Sequence, residues 1–379
     1  MKAISSFFTV LAILFSPYYS LAQENEVSFN SDYIKRNDGK VKIEINEVQE
    51  LTYIMFAMTE LGLKDSNMVN HNTSYYNEVI KHFSPYANHN AIKKMNSLLE
   101  ESIIYHIILS SNAYGFKFNG SSLERTGAYN FPAKGVGNFE VKSDPIITYK
   151  TDIEDFAHKS GFRKFYQTHK ADYNKIVDDF KVFGVINKQK KWLEERFDLK
   201  INSYLILTSP LIGGINSTNT FEDQSFKETM LVLPTIKYNS EWTSELNEIM
   251  NSRVIFTEID HNYVGPLSAK FKNKLDSIFN KRSIWVNKDI RSTEHYPTPI
   301  KVFDEYLTWG LFVLYCSDNF PGNKVLLQKV IDHVNDKMKA KGFPKSKEFN
   351  EKLINLYSAN SSKKIEKLYN DLLDWSADQ

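Results

Sequence analysis

The sequence predicts an α+β fold that is predominantly helical, with its strands in the first two thirds of the 379 residues. Residues 40–45 alternate apolar and polar side chains as a strand does, and residues 203–207 and 230–236 are short apolar segments of strand length. After Trp242, apolar residues recur at helical spacing almost to the end of the chain. Strands followed by a long run of helices are typical of the α+β class.

The composition narrows the classes of function. The chain has 47 Lys and Arg against 46 Asp and Glu, a net charge of +1, whereas nucleic-acid binding needs a strongly basic face. We therefore expect no nucleic-acid partner. The single cysteine, Cys316, excludes an intramolecular disulfide and a cysteine-based zinc cluster.

Residues 1–22 resemble a secretory signal peptide. Lys2 gives a basic start, residues 7–15 form a short apolar run, and small residues end the segment at Ala22. The run is too short to span a bilayer, and no later stretch is long and apolar enough to do so. We expect cleavage before Gln23 and export to the periplasm or the extracellular space, with an uncleaved amphipathic anchor as the alternative.

The remaining elements follow from periodicity. A helical stripe begins with Val48, Leu51 and Ile54 and ends near Gly62. Residues 112–147 are rich in Gly, Ser and Asn and predict loops with short strands. We expect an N-terminal α+β lobe over residues 23–250 and a C-terminal helical lobe over residues 251–379, forming one continuous unit. The predicted helices are residues 75–83, 91–109, 162–180, 243–264, 266–280, 300–316, 323–339, 347–358 and 361–375.

Residues 254–266 are the most informative segment of the chain. At about 100° per residue, Thr257, Glu258 and His261 share one face of a helix, opposite an apolar stripe, and Gly265-Pro266 predicts its end. In zinc metallopeptidases, two histidines at i and i+4 bind the metal and the glutamate after the first polarises a water molecule. An isolated E-x-x-H is a weak signal, and a solvated helix face with a capping histidine is its ordinary explanation.

A second helix carries a buried acid. Thr298 and Pro299 form a good helix start, and the helix that follows is apolar nearly all round, which predicts burial. Glu305 lies past its first turn, where an ionised carboxylate needs a partner or a metal. Glu305 is therefore either a metal ligand or one half of a salt bridge with a buried Lys or Arg.

Residues 257–266, residues 305–307 and residues 156–166 together resemble an exported bacterial family catalogued as a domain of unknown function. That family is similar to zincin-like metallopeptidases of the gluzincin type, in which an H-E-x-x-H helix precedes a helix that bears a glutamate. The likeness extends over residues 45–320, taking in residues 48–61 and 82–86. It implies a zincin-like fold, zinc as cofactor, His261 and Glu305 as zinc ligands, and Glu258 as the general base.

The sequence departs from this family at two points. Thr257 stands where the first ligand histidine belongs, and Trp309-Gly310 replaces the family's usual Arg-Ala pair. His295, with Tyr296 beside it, precedes Pro297 in a loop that could supply a third ligand or stabilise an oxyanion. The plainer interpretation of His295 is an ordinary loop histidine.

Three functions remain open at this point. The first is a zinc hydrolase related to peptidases, with weak or absent activity because a ligand is missing. The second is a pseudoenzyme whose zincin-like cleft binds a peptide, protein or glycan without cleaving it. The third is a glycosidase that uses Glu258 and Glu305 as its paired carboxylates.

Overall fold

The computed structural model describes residues 26–136, 139–236 and 238–379. The predicted signal segment, residues 1–22, lies outside these ranges. The fold is α+β and mostly helical, as the sequence predicts. Among the described helices, none has the length and apolar character needed to cross a membrane.

The first part of the chain is a set of short helices with two small antiparallel strand pairs, β2-β3 and β4-β5, and with β1, which joins the main sheet. The predicted helix over residues 162–180 is split at His169, because the imidazole Nδ1 lies 2.8 Å from the Phe165 carbonyl oxygen. A continuous helix would use that carbonyl to pair with the backbone N–H of residue 169. The helices are α1 (Ser31–Asn37), α2 (Glu47–Ala57), α3 (Glu60–Lys64), α4 (Ser74–Phe83), α5 (Asn90–Glu101), α6 (Ile104–Asn112), α7 (Pro145–Thr148), α8 (Lys150–Lys159), α9 (Phe162–Thr168), α10 (Lys170–Phe183) and α11 (Ile186–Arg196), with 3-10 helices at Ser84–Tyr86 and Ala113–Gly115. The strands are β1 (Val41–Glu44), β2 (Phe116–Asn119), β3 (Ser122–Arg125), β4 (Gly135–Val136) and β5 (Phe139–Glu140).

The main sheet has four strands in the order β1-β6-β8-β7. Its later strands are β6 (Ser203–Ser209), β7 (Ser217–Asp223) and β8 (Phe226–Pro234). Strands β1, β6 and β8 are parallel, whereas β7 runs antiparallel to β8 and forms one edge. The three predicted strands are confirmed, but β7 was not predicted, because its Ser, Thr and Asn residues give no apolar pattern.

The last part of the chain is helical. Gly265-Pro266 was predicted to end a helix, which is wrong: α12 continues through Pro266. Proline removes one helical hydrogen bond, but the next turn is held by the buried Leu267 and by Ser268, whose Oγ donates to Asp304 over 2.5 Å. The helices are α12 (Ser244–Lys270), α13 (Lys272–Phe279), α14 (Arg282–Trp285), α15 (Pro299–Asn319), α16 (Lys324–Ala340), α17 (Ser346–Ala359) and α18 (Tyr369–Ala377), with 3-10 helices at Arg291–His295 and Ile365–Leu368.

The main sheet separates two hydrophobic cores. Along β6, Tyr204 and Ile206 face the core built with the C-terminal helices, while Leu205 and Leu207 face the core of the N-terminal helices. This alternation is the normal consequence of the two-residue repeat of a strand. The boundary expected between residues 250 and 251 falls inside α12, and the two cores meet at the sheet.

Helix α15 is the centre of the C-terminal core. It packs against α12, α13, α16 and α17, and Thr298 caps its first turn as predicted by accepting from the Lys301 N–H. The six side chains predicted to be buried between α12 and α15 are all buried: Phe256, Ile259, Tyr263, Leu307, Leu311 and Leu314.

Candidate functional site

A cavity of about 360 Å³ opens between α12, α15 and the end of α16. Five of the residues singled out from the sequence line it: Thr257, Glu258, His261, Tyr296 and Glu305. Helix α12 contributes the first three because they recur on one helical face, and α15 delivers Glu305 from its second turn. The structure therefore brings together the E-x-x-H segment and the second-helix glutamate.

Glu305 makes a salt bridge. Its side chain is only 3% exposed, and Oε1 accepts from the Lys341 ammonium over 2.5 Å and from the Trp309 indole N–H over 2.9 Å. Burial alone would raise the pKa of this carboxyl, but Lys341, His261 and Trp309 together hold the pKa below its usual value. Of the two interpretations that the sequence allowed for Glu305, the structure shows the ion pair with a lysine.

His261 lies close to the other oxygen of Glu305. Its Nε2 lies 3.9 Å from Glu305 Oε2, and its side chain is 34% exposed. Thr257 faces the same cavity one turn earlier, but its hydroxyl donates to the Val254 carbonyl of its own helix over 3.2 Å. The hydroxyl is thus turned onto the helix backbone.

Glu258 lies beside these groups and is partly buried. Burial raises the pKa of its carboxyl, and the neighbouring Glu305 raises it further, while His261, Lys341 and a hydrogen bond from Asn216 oppose the shift. A carboxyl with a raised pKa in a cleft is suited to exchange a proton or to accept a hydrogen bond. Asn216 immediately precedes the edge strand β7.

The two accessory residues differ in position. Tyr296 lines the cavity, its hydroxyl hydrogen-bonds to Glu305, and the Lys341 ammonium lies 5.2 Å from its ring centre. Arg282 fixes the loop by donating to the Tyr296 carbonyl over 2.5 Å. His295 is exposed and is not among the residues that line the cavity. The 3-10 turn that carries both residues points only the tyrosine inward.

Asp260, next to His261 in sequence, lies outside the cavity. It is fully buried, and within the described ranges neither of its carboxyl oxygens has a hydrogen-bond partner. Burial raises the pKa of this carboxyl well above its ordinary value, and Glu258, Glu305 and Asp304 raise it further. Asp260 is therefore part of the buried interior and not of the cavity.

The donor set does not fit a catalytic zinc ion, which takes three protein ligands and one water. Only His261 and Glu305 are suitable donors at the expected places, because the neutral Thr257 hydroxyl is a poor zinc ligand. The Glu305 carboxylate is also already neutralised by Lys341. Among residues 26–136, 139–236 and 238–379, no group of three or more His, Cys, Asp and Glu is placed to hold a metal ion.

The sequence-based interpretation missed several residues of the cavity. Trp309 lies one helical turn after Glu305, and Arg253 lies one helical turn before Thr257. The spacing of four residues could therefore have indicated both. Asn216 and Lys341 come from distant segments with no shared motif, and no local signal points to them. Lys337 lies one helical turn before Lys341, so it could be expected in the cavity once Lys341 is known to line it.

Comparison with known proteins leaves the function to be argued from this geometry. No family model matches the chain, and no curated protein and no solved structure matches it.

Proposed function

We propose that this protein is a zincin-like pseudoenzyme, with weak or absent zinc hydrolase activity, that binds a peptide chain in the cavity beside α12. The packing of α12, which bears Glu258 and His261, against α15, which bears Glu305, supports the zincin-like assignment. The resemblance implies the same arrangement of a motif helix and a glutamate helix.

The salt bridge supports the loss of hydrolysis. A zinc site needs the Glu305 carboxylate as a ligand, but the Lys341 ammonium lies 2.5 Å from it. A metal ion would have to share this carboxylate with the ammonium, and it would bind with one histidine and one carboxylate. Such a site is expected to hold zinc weakly.

The position of the cavity at the open edge of the sheet carries the peptide-binding proposal. Strand β7 pairs with β8 on one side, and within the described residues it has no strand partner on the other. Asn216, directly before β7, lines the cavity. An extended peptide can add to such an edge through main-chain hydrogen bonds while its side chains enter neighbouring pockets, which favours peptide over glycan as the ligand.

The test measures peptide binding and zinc binding on the same purified protein. The fluorescence anisotropy of a fluorescein-labelled pool of random octapeptides with free C-termini should increase as protein is added. Val254 lines the cavity, so Val254→Trp should fill part of it and abolish this change. The control Val182→Trp, at a side chain elsewhere that is 63% exposed, should leave the change intact. Calorimetry after chelator dialysis should detect only weak zinc binding.

Two results would contradict the proposal. One is the absence of peptide binding, or binding that Val254→Trp leaves intact with the variant folded. The other is tight zinc binding together with peptide cleavage that a chelator stops. The latter result would establish an active metallopeptidase.

A zinc hydrolase stays the second candidate on one observation, the 3.9 Å between His261 Nε2 and Glu305 Oε2. Zinc lies about 2.0–2.2 Å from each nitrogen or oxygen ligand, so this separation is compatible with a shared ion. The zinc titration described above decides between the candidates.

We also propose that the protein acts after export. The motif in residues 1–22 supports this, and the expected mature chain begins at Gln23. Intact-mass measurement of protein recovered outside the cytoplasm tests it, since retention of residues 1–22 would contradict cleavage at this site.

A further inference from the structure

Arg253 lies where two cavities meet. It lines the 360 Å³ cavity of the candidate site and also a second cavity of about 210 Å³ farther along α12. Residues Leu246, Met250 and Arg253 of α12 recur at helical spacing and continue the face that carries Thr257 and His261. Helix α15 packs against both α12 and α16, and residues of all three helices line the second cavity. The two cavities are therefore adjacent, with Arg253 between them, and together they are called the groove below.

The guanidinium of Arg253 has no anionic partner. Among the described residues it makes no hydrogen bond or ion pair, and its Nε is buried without an acceptor. The guanidinium carbon lies 4.8 Å from the centre of the Trp309 ring. Burial lowers the pKa of Arg253. A buried charge without a counter-ion is costly, and a bidentate carboxylate is the ligand that best compensates a guanidinium.

The second cavity is apolar. Its walls are formed by the side chains of Trp242, Leu246, Met250, Phe312 and Val330, with Lys329 and His333 also in the lining. Burial lowers the pKa of His333, and the nearby Arg253 and Lys337 lower it further, which favours the neutral imidazole. A pocket of this composition accepts one apolar side chain, and of its two basic side chains, Arg253 and Lys329, Arg253 is the one that also lines the larger cavity.

The charges of the whole groove favour an anion. Arg253, Lys329, Lys337 and Lys341 line the two cavities together with Glu258 and Glu305. Lys341 and Glu305 neutralise each other in their salt bridge. The remaining groups are three cations against one carboxyl, whose pKa is raised by burial.

We propose that the groove binds the C-terminal residue of a peptide, with its free carboxylate on Arg253 and its apolar side chain in the 210 Å³ cavity. The preceding residues then extend through the larger cavity towards the edge of β7. There the buried side-chain oxygen of Asn216 has no hydrogen-bond partner within the described part of the chain, so it can accept from a peptide N–H. The inference rests on the proposed peptide-binding function and names the part of the peptide that is recognised.

The test compares two fluorescein-labelled octapeptides of alanine and serine that end in leucine, one with a free carboxylate and one with a C-terminal amide. Charge-assisted bonds to a guanidinium should make the acid bind about 10- to 100-fold more tightly than the amide. Arg253→Gln should lower the affinity for the acid peptide to that for the amide peptide and leave the affinity for the amide peptide unchanged. Arg253→Lys should restore part of the difference between the two affinities. Lys142→Gln removes one exposed cation elsewhere and should change neither affinity. Thermal unfolding of Arg253→Gln should stay close to wild type, because among the described residues Arg253 makes no ion pair and its contact with the Trp309 ring is the one to be lost.

The pocket is tested separately by changing the last residue. Replacing the terminal leucine with glycine should weaken binding about tenfold, since an apolar side chain then leaves the cavity. Met250→Trp, which fills the cavity, should remove the preference for leucine.

The outcomes separate the two proposals. Equal binding of acid and amide would overturn this inference and leave the peptide-binding function standing, whereas binding of neither would overturn the function itself. Competition by N-acetylleucine as strong as that of the octapeptide acid would show that a small apolar acid, and not a peptide end, is recognised. It would thereby overturn the peptide assignment.

Discussion

The ammonium nitrogen of Lys341 lies 2.5 Å from Oε1 of Glu305, in a pair that joins the end of α16 to the second turn of α15. Glu305 is the residue that the family resemblance implies as a zinc ligand. Here a cation supplied by the chain itself neutralises the carboxylate. The position of one lysine, 36 residues farther along the chain, thus changes what the second-helix glutamate can do.

Lys341→Gln should destabilise the protein. The substitution leaves the Glu305 carboxylate, 3% exposed, without its charge partner, and an unpaired buried carboxylate is unfavourable. Because Lys341 is itself about one third exposed, we expect a modest loss of about 1–3 kcal/mol in the free energy of unfolding. Urea unfolding at pH 7 measures it.

The control for this prediction is a double-mutant cycle. Glu305→Gln removes the charge that Lys341 neutralises, so the double variant Lys341→Gln/Glu305→Gln should be more stable than the sum of the single losses predicts. Strict additivity of the two losses would mean that the pair contributes nothing to the fold.

Thr257→His should raise zinc affinity. The substitution places two imidazoles at i and i+4 on α12, and an added ligand should tighten binding at least about tenfold. Since Lys341 competes for Glu305, the gain should be larger in Thr257→His/Lys341→Gln. Calorimetric zinc titration of wild type and both variants measures this.

The double variant Thr257→His/Glu305→Ala is the matched control, and it should lose most of the gain in zinc affinity. If Thr257→His binds zinc no better than wild type, this face of α12 does not form a metal site. Tight wild-type binding that persists in His261→Ala would locate the metal elsewhere.

Leu311→Ala should strongly destabilise the C-terminal core. Leu311 lies on α15 and is fully buried, and truncation of such a side chain costs about 2–5 kcal/mol through lost burial and a residual cavity. The control is Val325→Ala, at a side chain that is 70% exposed, for which we expect about 0.5 kcal/mol or less. Chemical denaturation of both variants gives the comparison, and equal losses would show that α15 is not the centre of the core.

Glu50→Gln should remove a pH dependence of stability. Burial raises the pKa of Glu50 to about 7, against weaker lowering by hydrogen bonds from Tyr75 and Ser209 and by His169. The folded protein therefore keeps a proton that the unfolded chain releases near pH 4.3, and this contribution to stability is lost as the pH rises from about 4.3 to about 7. The loss is about 4 kcal/mol at most. The stability of Glu50→Gln should thus be closest to that of wild type near pH 4.5 and should exceed it most at pH 8.

Thermal or urea unfolding between pH 4.5 and 8 measures the difference. Parallel stability profiles of wild type and Glu50→Gln over this range would show that Glu50 ionises freely in the folded protein. Glu351→Gln is the control, since Glu351 is exposed on α17 and should leave the profile unchanged.

The sequence by itself determined most of the long C-terminal helices and the strands β1, β6 and β8. Apolar side chains repeat every three to four residues along α12 and α15, because one face of each helix must be buried, and the same pattern predicted that Leu307 and Leu311 lie in the core. The short apolar segments at β6 and β8 were visible for the same reason. The helical spacing of Thr257, Glu258 and His261 also fixed which of them share a face.

Only the tertiary structure decided which groups surround that face. Strand β7 has no apolar pattern, so only its pairing with β8 defines it. Lys341 reaches Glu305, and Arg253 has no charge partner among the described residues, because α12, α15 and α16 pack in one particular arrangement. Contacts between segments far apart in the chain leave no periodic signal in the sequence, and here those contacts set the charge and the chemistry of the site.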